Sequence, residues 1–370
     1  MYVSDILKRE NNNLDFIRLF TALIVVWYHA QKHFPDSYAS LPTLHPKTIE
    51  LGALAVCVFF FISGLLVTNS LLSKREVIPF VISRFGRIYP AYFVMLILCV
   101  FIMGPCLTSL SIKDYFTSSQ TWTFFVKNSM LNFQANLPGV WEGLTSNIIN
   151  GSIWTIPFEV TCYIIVLVGF VLYRKWKMSP WVIILPAMAF AFLPIEISQG
   201  ILRYGHIFFG RPHFFCFIIG TIFAIYREKI KVDKTLVLAL ILLTVVFYHW
   251  VSVIEFLFPI TVAITLLYCS TIKPIIGWRL PHDLSYGIYI FHDPILQIVC
   301  NQGVAHSWLI AFLITAALVI PIAYLSARFI EEPSIRFSKR LSKRKFNLTD
   351  NGVLIIVILV VGVIVAKLFY

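Results

Sequence analysis

Charge is scarce in this chain. Only 13% of its 370 residues are Asp, Glu, Lys or Arg, and 18 acidic residues face 30 basic ones. A soluble domain carries about 25% charged residues, so an ordinary aqueous fold is excluded. Paired cysteines are missing as well. Cys57, Cys99, Cys106, Cys162, Cys216, Cys269 and Cys300 stand singly in apolar segments, with no CxxC pair or metal-ligand spacing, and read as small packing residues. There is no low-complexity stretch, no internal repeat and no separable soluble domain. A removable signal peptide is not expected: Ser4 to Asn13 are polar, and the apolar run after them is too long and lacks a small-residue cleavage site.

What the chain has is apolar length, with 59% hydrophobic residues and a mean hydropathy of +0.83. A hydrocarbon core of ~30 Å needs about 20 apolar residues per helix. Eleven segments meet that need: 14–34, 51–72, 88–107, 155–173, 180–195, 207–226, 235–251, 253–271, 284–303, 308–329 and 352–369. Segment 108–151, mixed and aromatic, reads as a folded loop with an interfacial helix. Placing the N-terminus in the cytoplasm puts twenty-two Lys and Arg residues on the inner side and five on the outer, with every inner loop basic. The net charge of +12 therefore marks a cytoplasmic membrane face and not a nucleic-acid partner. The expected architecture is an all-α polytopic membrane protein of ten or eleven spans in a single bundle. It forms one domain over residues 1–370, with an extra C-terminal span at 352–369.

Ionisable residues inside spans cost on the order of 3 kcal/mol, so each needs a reason. In the first span Arg18 and His29 are eleven residues apart, which displaces them by only about 20° around the helix and roughly 16 Å along it. Both face one groove. The ordinary alternative pairs Arg18 with Asp15 and leaves His29 as an interfacial histidine; the shared face favours function. His33 follows His29 at a metal-compatible spacing, but no third ligand is near in sequence, so no metal is expected. Arg84 and Arg87, i and i+3 in an inner loop ahead of the third span, present paired guanidinium groups suited to phosphate oxygens. Glu159 lies about one and a half turns into the fourth span, at a depth comparable to His29, where it can orient a histidine or hold a hydroxyl. A helix N-terminal acid favoured by the macrodipole is its plain reading. His292 in the ninth span and Arg211 with His213 at the outer end of the sixth are further candidates to line a cavity.

In this order the motifs resemble the acyltransferase-3 family of integral membrane acyltransferases. They are Arg18 to His29, Phe59-Phe-Phe-Ile-Ser63-Gly64, Arg84-x2-Arg87-Ile-Tyr-Pro90, Ser152-Ile-Trp154-Thr-Ile-Pro-Phe-Glu159, Ser285-Tyr-Gly-Ile-Tyr before His292, and Ile330-Glu-Glu-Pro333. The resemblance implies transfer of an acyl group, usually acetyl, from cytoplasmic acyl-CoA to a sugar hydroxyl of an extracytoplasmic or lipid-linked glycan. It places the chain in a bacterial cytoplasmic membrane. It implies His29 as the essential histidine and Arg84 and Arg87 as the family's arginine pair. Two departures stand out. Cys57 occupies a position where many members carry Asp, and the chain has an extra last span but no outer esterase-like domain.

The expected site therefore comprises His29, Glu159 and Arg18 for catalysis, and Arg84, Arg87 and Arg18 for acyl-CoA. Ser152, Trp154, Arg211 and His292 are expected to bind the acceptor, and no metal is involved. His29 acts as general base on the acceptor hydroxyl or carries the acyl group covalently; the sequence leaves both open. Aromatic residues of 108–151 (Trp122, Phe124, Phe125, Trp141) stack on sugars or form an interfacial belt. The rival reading is a secondary transporter or flippase using Arg, His and Glu as a proton relay.

Overall fold

A computed structural model describes residues 1–34, 50–144, 146–191 and 211–343. With no water to satisfy amides inside a bilayer, so apolar a chain must close its backbone hydrogen bonds within helices. It does: among the described residues there is no strand, only isolated bridges at Tyr2–Lys231 and Thr108–Val140. Twelve described helices have ten residues or more. They are α1 Leu14–Lys32, α2 Leu51–Lys74, α3 Val77–Leu98, α4 Ser119–Ser129, α5 Thr155–Trp176, α6 Trp181–Ala191, α7 Arg211–Ile225, α8 Lys234–Val246, α9 Val251–Cys269, α10 Ser285–Asn301, α11 Trp308–Ser326 and α12 Glu332–Leu341. Five helical stretches are long and apolar enough to cross a membrane: Leu51–Lys74, Val77–Leu107, Ser152–Trp176, Val251–Cys269 and Trp308–Leu341. The chain is a multi-pass, all-α membrane protein.

Ten of the eleven expected spans overlap described helices, and five of those ten fall on the stretches long and apolar enough to cross. The eleventh, 352–369, lies outside the described residues, as do 192–195 and 207–210. One boundary differs in a way that matters. The third helix begins at Val77, not near residue 88, so Arg84 and Arg87 stand on a continuous helix and not in a loop. A loop was expected because Ser83, Arg84 and Arg87 interrupt the apolar run. The Arg87 charge is instead met by Asp283 and Glu331 from distant parts of the chain, which lets the helix extend around it. Segment 108–151 holds Ile112–Thr117 and α4, in line with the folded loop expected there.

Two close crossings set the frame. A Cβ on Gly64 of α2 would come within 2.1 Å of the Phe217 carbonyl oxygen, and one on Gly220 of α7 within 2.1 Å of the Phe61 oxygen. The two backbones therefore touch, the arrangement small residues permit where lipid offers no hydrophobic drive to pack. Likewise a Cβ on Gly86 would meet the Ser338 hydroxyl at 1.9 Å, so α12 nests on α3 between Arg84 and Arg87.

Helices α1 and α10 pack side by side and run parallel, in register. Arg18 meets Asp283 at one end, and eleven residues further His29 meets Asp293, ten residues beyond Asp283. The start of α1 is pinned by Asn13. Its side chain accepts from Phe16 N–H and donates to Ile275 C=O at 2.6 Å, and its backbone N–H donates to Ser270 C=O.

Candidate functional site

The first cluster gathers at the His29 end. His29 is about a quarter exposed, at 24% of its side chain, while His292 and Asp293 are buried. His292 Nδ1 lies 2.8 Å from Tyr289 C=O and 3.1 Å from Ile288 C=O. Carbonyls only accept, so the hydrogen-bond network assigns a proton to Nδ1 and a lone pair to Nε2. That Nε2 is 3.1 Å from His29 Nδ1, which also stands 3.7 Å from Asp293 Oδ1. His29 then carries its proton on Nδ1, turned toward two acceptors, and keeps the Nε2 lone pair for an incoming group.

A proline explains how the cluster is held. Pro294 has no N–H, so the Ile290 carbonyl loses its helical partner. Asn150 Nδ2 donates to that freed carbonyl at 2.9 Å. Next to it, the Gly151 N–H donates to Asp293 Oδ2, leaving Oδ1 for His29. The Ser152 hydroxyl and N–H both donate to Asn150 Oδ1, at 2.6 and 3.1 Å. Residues 150–152 thus clamp α10 and aim its carboxylate.

A second cluster surrounds a cavity with about 110 Å³ of room for solvent, with walls from α1, α2, α3, α5 and α10. Arg18 donates to Asp283 Oδ2 at 2.5 Å, and Arg87 donates to the same oxygen. Arg87 also faces Glu331, at 3.8 Å, whose other oxygen accepts from Ser326 at 3.0 Å. Glu331 is brought inward by a π-helical turn over Ala327–Glu331, the kind of bulge often found at functional sites. Burial alone would raise the Asp283 carboxyl. The Arg18 and Arg87 guanidinium groups, helped by Ser285, outweigh it and hold the group below the ordinary carboxylate range.

On the opposite wall Glu159 Oε1 accepts from Ser63 at 3.0 Å and from the Tyr163 hydroxyl. Arg84 stands beside Tyr163 and Glu159, with its guanidinium carbon 5.9 Å from the Phe80 ring centre. Its buried Nε has no hydrogen-bond partner among the described residues. Of the three arginines lining the cavity, Arg18 and Arg87 are tied to carboxylates, while Arg84 keeps a donor to offer.

The expected site residues thus fall into two groups. Arg18, Arg84, Arg87 and Glu159 meet at the cavity; His29 meets His292. Glu159 is not the carboxylate beside His29, because Ser63 and Tyr163 claim it, and Asp293 takes that place. Nor does Arg18 pair with Asp15. Ser152 turns to Asn150, and Trp154 packs edge-on against Phe158 and His213. Arg211 opens α7; it and Trp154 are absent from the cavity walls. Asp293 and Asp283 were missed, although each is an acid next to or near a residue already singled out.

His29, His292 and Asp293 offer ligand atoms all within 4.8 Å of one another, a trio that differs from the His29–His33 spacing weighed in the sequence. Those inward atoms face one another.

A family model described as an acyltransferase domain matches residues 11–328, a range that includes every residue of the two clusters but Glu331. The chain is 26% identical over 351 residues to an O-acetyl transferase of Shigella phage Sf6, covering 90% of this chain and 98% of that protein. It is 23% identical to nodulation protein 10 of Rhizobium leguminosarum bv. viciae, covering 91% and 97%. It is 24% identical to the peptidoglycan O-acetyltransferase OatA of Listeria monocytogenes, over 87% of this chain and 55% of that protein. No solved structure matches the chain.

Proposed function

The chain belongs to the acyltransferase-3 family and is a membrane O-acyltransferase, and from that premise we propose that it moves an acetyl group from cytoplasmic acetyl-CoA to a glycan hydroxyl. The acceptor is an extracytoplasmic or lipid-linked sugar, and the membrane is the bacterial cytoplasmic membrane with the N-terminus inside. The relatives named for O-acetyl transfer and for peptidoglycan support the acyl group and the acceptor class. The basic residues at the Arg18 end support the orientation. Packing of α1 against α10 and of α12 against α3 supports one functional domain over the whole chain.

The observation that carries the reading is the His29–His292–Asp293 cluster on the same helix face as Arg18. In the mechanism the cavity receives the pantetheine end of the donor, and Arg84 offers its unpartnered N–H to the donor's polar groups. The acceptor hydroxyl enters from the other side. His29 Nε2 takes its proton as the oxygen attacks the thioester carbonyl carbon. A C–O bond forms and the C–S bond breaks. The imidazolium, steadied by Asp293, then returns its proton to the departing sulfur, so free CoA thiol and an ester result. Attack by His29 itself, giving an acyl-imidazole, uses the same lone pair. Glu159, with Ser63 and Tyr163, shapes the cavity wall. No observation favours the transport reading.

The test is a purified full-length chain in nanodiscs with acetyl-CoA and a lipid-linked or polymeric glycan from the producing cells. Acceptor-dependent release of CoA thiol, with an acetyl mass gain on the glycan, supports the proposal; neither appearing overturns it.

A further inference from the structure

The cavity is lined by Thr155 and Tyr289 but not by His29, His292 or Asp293. Something therefore stands between the donor cavity and the imidazole pair, and its composition is specific. The Tyr289 hydroxyl and Thr155 Oγ1 are 2.7 Å apart, joining α10 to the start of α5. The Tyr289 ring meets Phe59 of α2 edge-on at 5.8 Å and lies 6.2 Å from the His292 ring. Three helices thus contribute one side chain each to a partition, and a single side-chain hydrogen bond latches it.

Tyr289 sits one turn before His292 on α10, so the two side chains share a face, the tyrosine nearer the Arg18 end. Its carbonyl fixes His292 Nδ1 while its ring closes the cavity. The two functions separate cleanly, because a side-chain substitution removes the ring and leaves the carbonyl.

We propose that Tyr289, latched by Thr155, is the gate the acyl group passes to reach His29, and that it determines acyl size and keeps water from the thioester. The inference rests on the donor reading given above. Reacting atoms must come within ~3–3.5 Å, so the carbonyl carbon has to cross the line of Tyr289 while the bulky coenzyme stays behind it. A ring swinging by one rotamer admits a two-carbon group more readily than a six-carbon one. An apolar wall discriminates by roughly 10–200-fold per methylene. The same ring shields the thioester from water on the acceptor side. Without it, water replaces the sugar hydroxyl: its oxygen bonds the carbonyl carbon, the C–S bond breaks, and thiol and carboxylic acid leave.

The experiment uses the full chain in nanodiscs with acetyl-CoA or hexanoyl-CoA and no glycan, reading thiol release, while CoA binding is measured separately. Tyr289→Ala is expected to raise acceptor-free release from acetyl-CoA tenfold or more. It should also raise the hexanoyl-to-acetyl ratio by a similar factor. Tyr289→Phe keeps the ring and is expected to hold the wild-type ratio, and Thr155→Val, which cuts the latch together with the Thr155 bond to the Ser152 carbonyl, to raise release with little change in ratio. Wild-type CoA binding together with an unchanged ratio and unchanged release in Tyr289→Ala overturns the gate but not the donor reading. Absence of CoA binding by the wild type overturns both.

Discussion

His292 places its Nε2 3.1 Å from Nδ1 of His29, across 263 residues of sequence. Because the other nitrogen of His292 is committed to backbone carbonyls, this contact dictates which nitrogen of His29 is left basic. The consequences for activity can be measured one at a time.

Replacing His29 by Ala removes the lone pair while leaving the packing of α1 nearly intact, since the side chain is partly exposed. Transfer should fall by about 10²–10⁴-fold, the usual worth of a positioned base. Membrane yield and thermal stability should stay at wild-type levels. Glycan acetylation persisting in a strain that carries only this variant would remove His29 from the chemistry.

Asp293→Asn keeps the shape and the acceptor for the Gly151 N–H but loses the charge that steadies an imidazolium. Turnover should drop by on the order of 10²–10⁴-fold, by analogy with other His–Asp pairs, with KM for acetyl-CoA little changed. An effect confined to KM would move Asp293 to substrate binding.

Arg84 and Arg87, equivalent in the sequence, should behave differently. Arg87→Ala takes from Glu331 its ion-pair partner among the described residues and leaves Asp283 with Arg18 alone, and should cost about 3–5 kcal/mol of stability, seen as a lower unfolding temperature in detergent. Arg84→Ala should leave that temperature close to wild type and weaken CoA binding. Equal loss of stability in both variants would contradict the division.

The Asp283 carboxyl is held below its ordinary range in the folded protein. Its contribution is therefore fully present above the unfolded value of about 3.9 and is lost as pH falls through the lower folded value. Asp283→Asn should accordingly destabilise the protein at pH 7 and narrow the stability gap from wild type below about pH 4, as read by thermal unfolding across pH. A gap constant with pH would mean the carboxylate charge does not hold Arg18 and Arg87.

Gly64→Ala puts a methyl group 2.1 Å from a carbonyl oxygen of α7. Helices α2 and α7 must part, at a cost of about 1–3 kcal/mol, and unfolding temperature in detergent should fall together with activity. Gly277, whose Cβ position is open and whose backbone is not left-handed, is the control for crowding.

Much of this was readable in advance, and what was not has a common cause. Apolar run length located the helices, and the 3.6-residue period put Arg18 and His29 on one face. Both are local properties. Which acid meets which base depends on helix neighbours, and no period within one helix encodes that. Hence Glu159 was matched to His29 by depth alone, while Asp293 on α10 and Asp283 just ahead of it went unnoticed some 260 residues away. The start of α3 was misplaced for a related reason: the charges of Arg84 and Arg87 look like a loop until Asp283 and Glu331 are seen beside Arg87.

The parallel seating of α1 against α10 also bears on how the protein is made. During synthesis the first helix enters the membrane carrying its imidazole, but the carboxylate and second imidazole that orient it arrive roughly nine helices later. Until then the nascent chain holds only an unaided histidine. Fragments from premature termination inherit the same incompleteness, so the cluster comes together only once the tenth helix has been made.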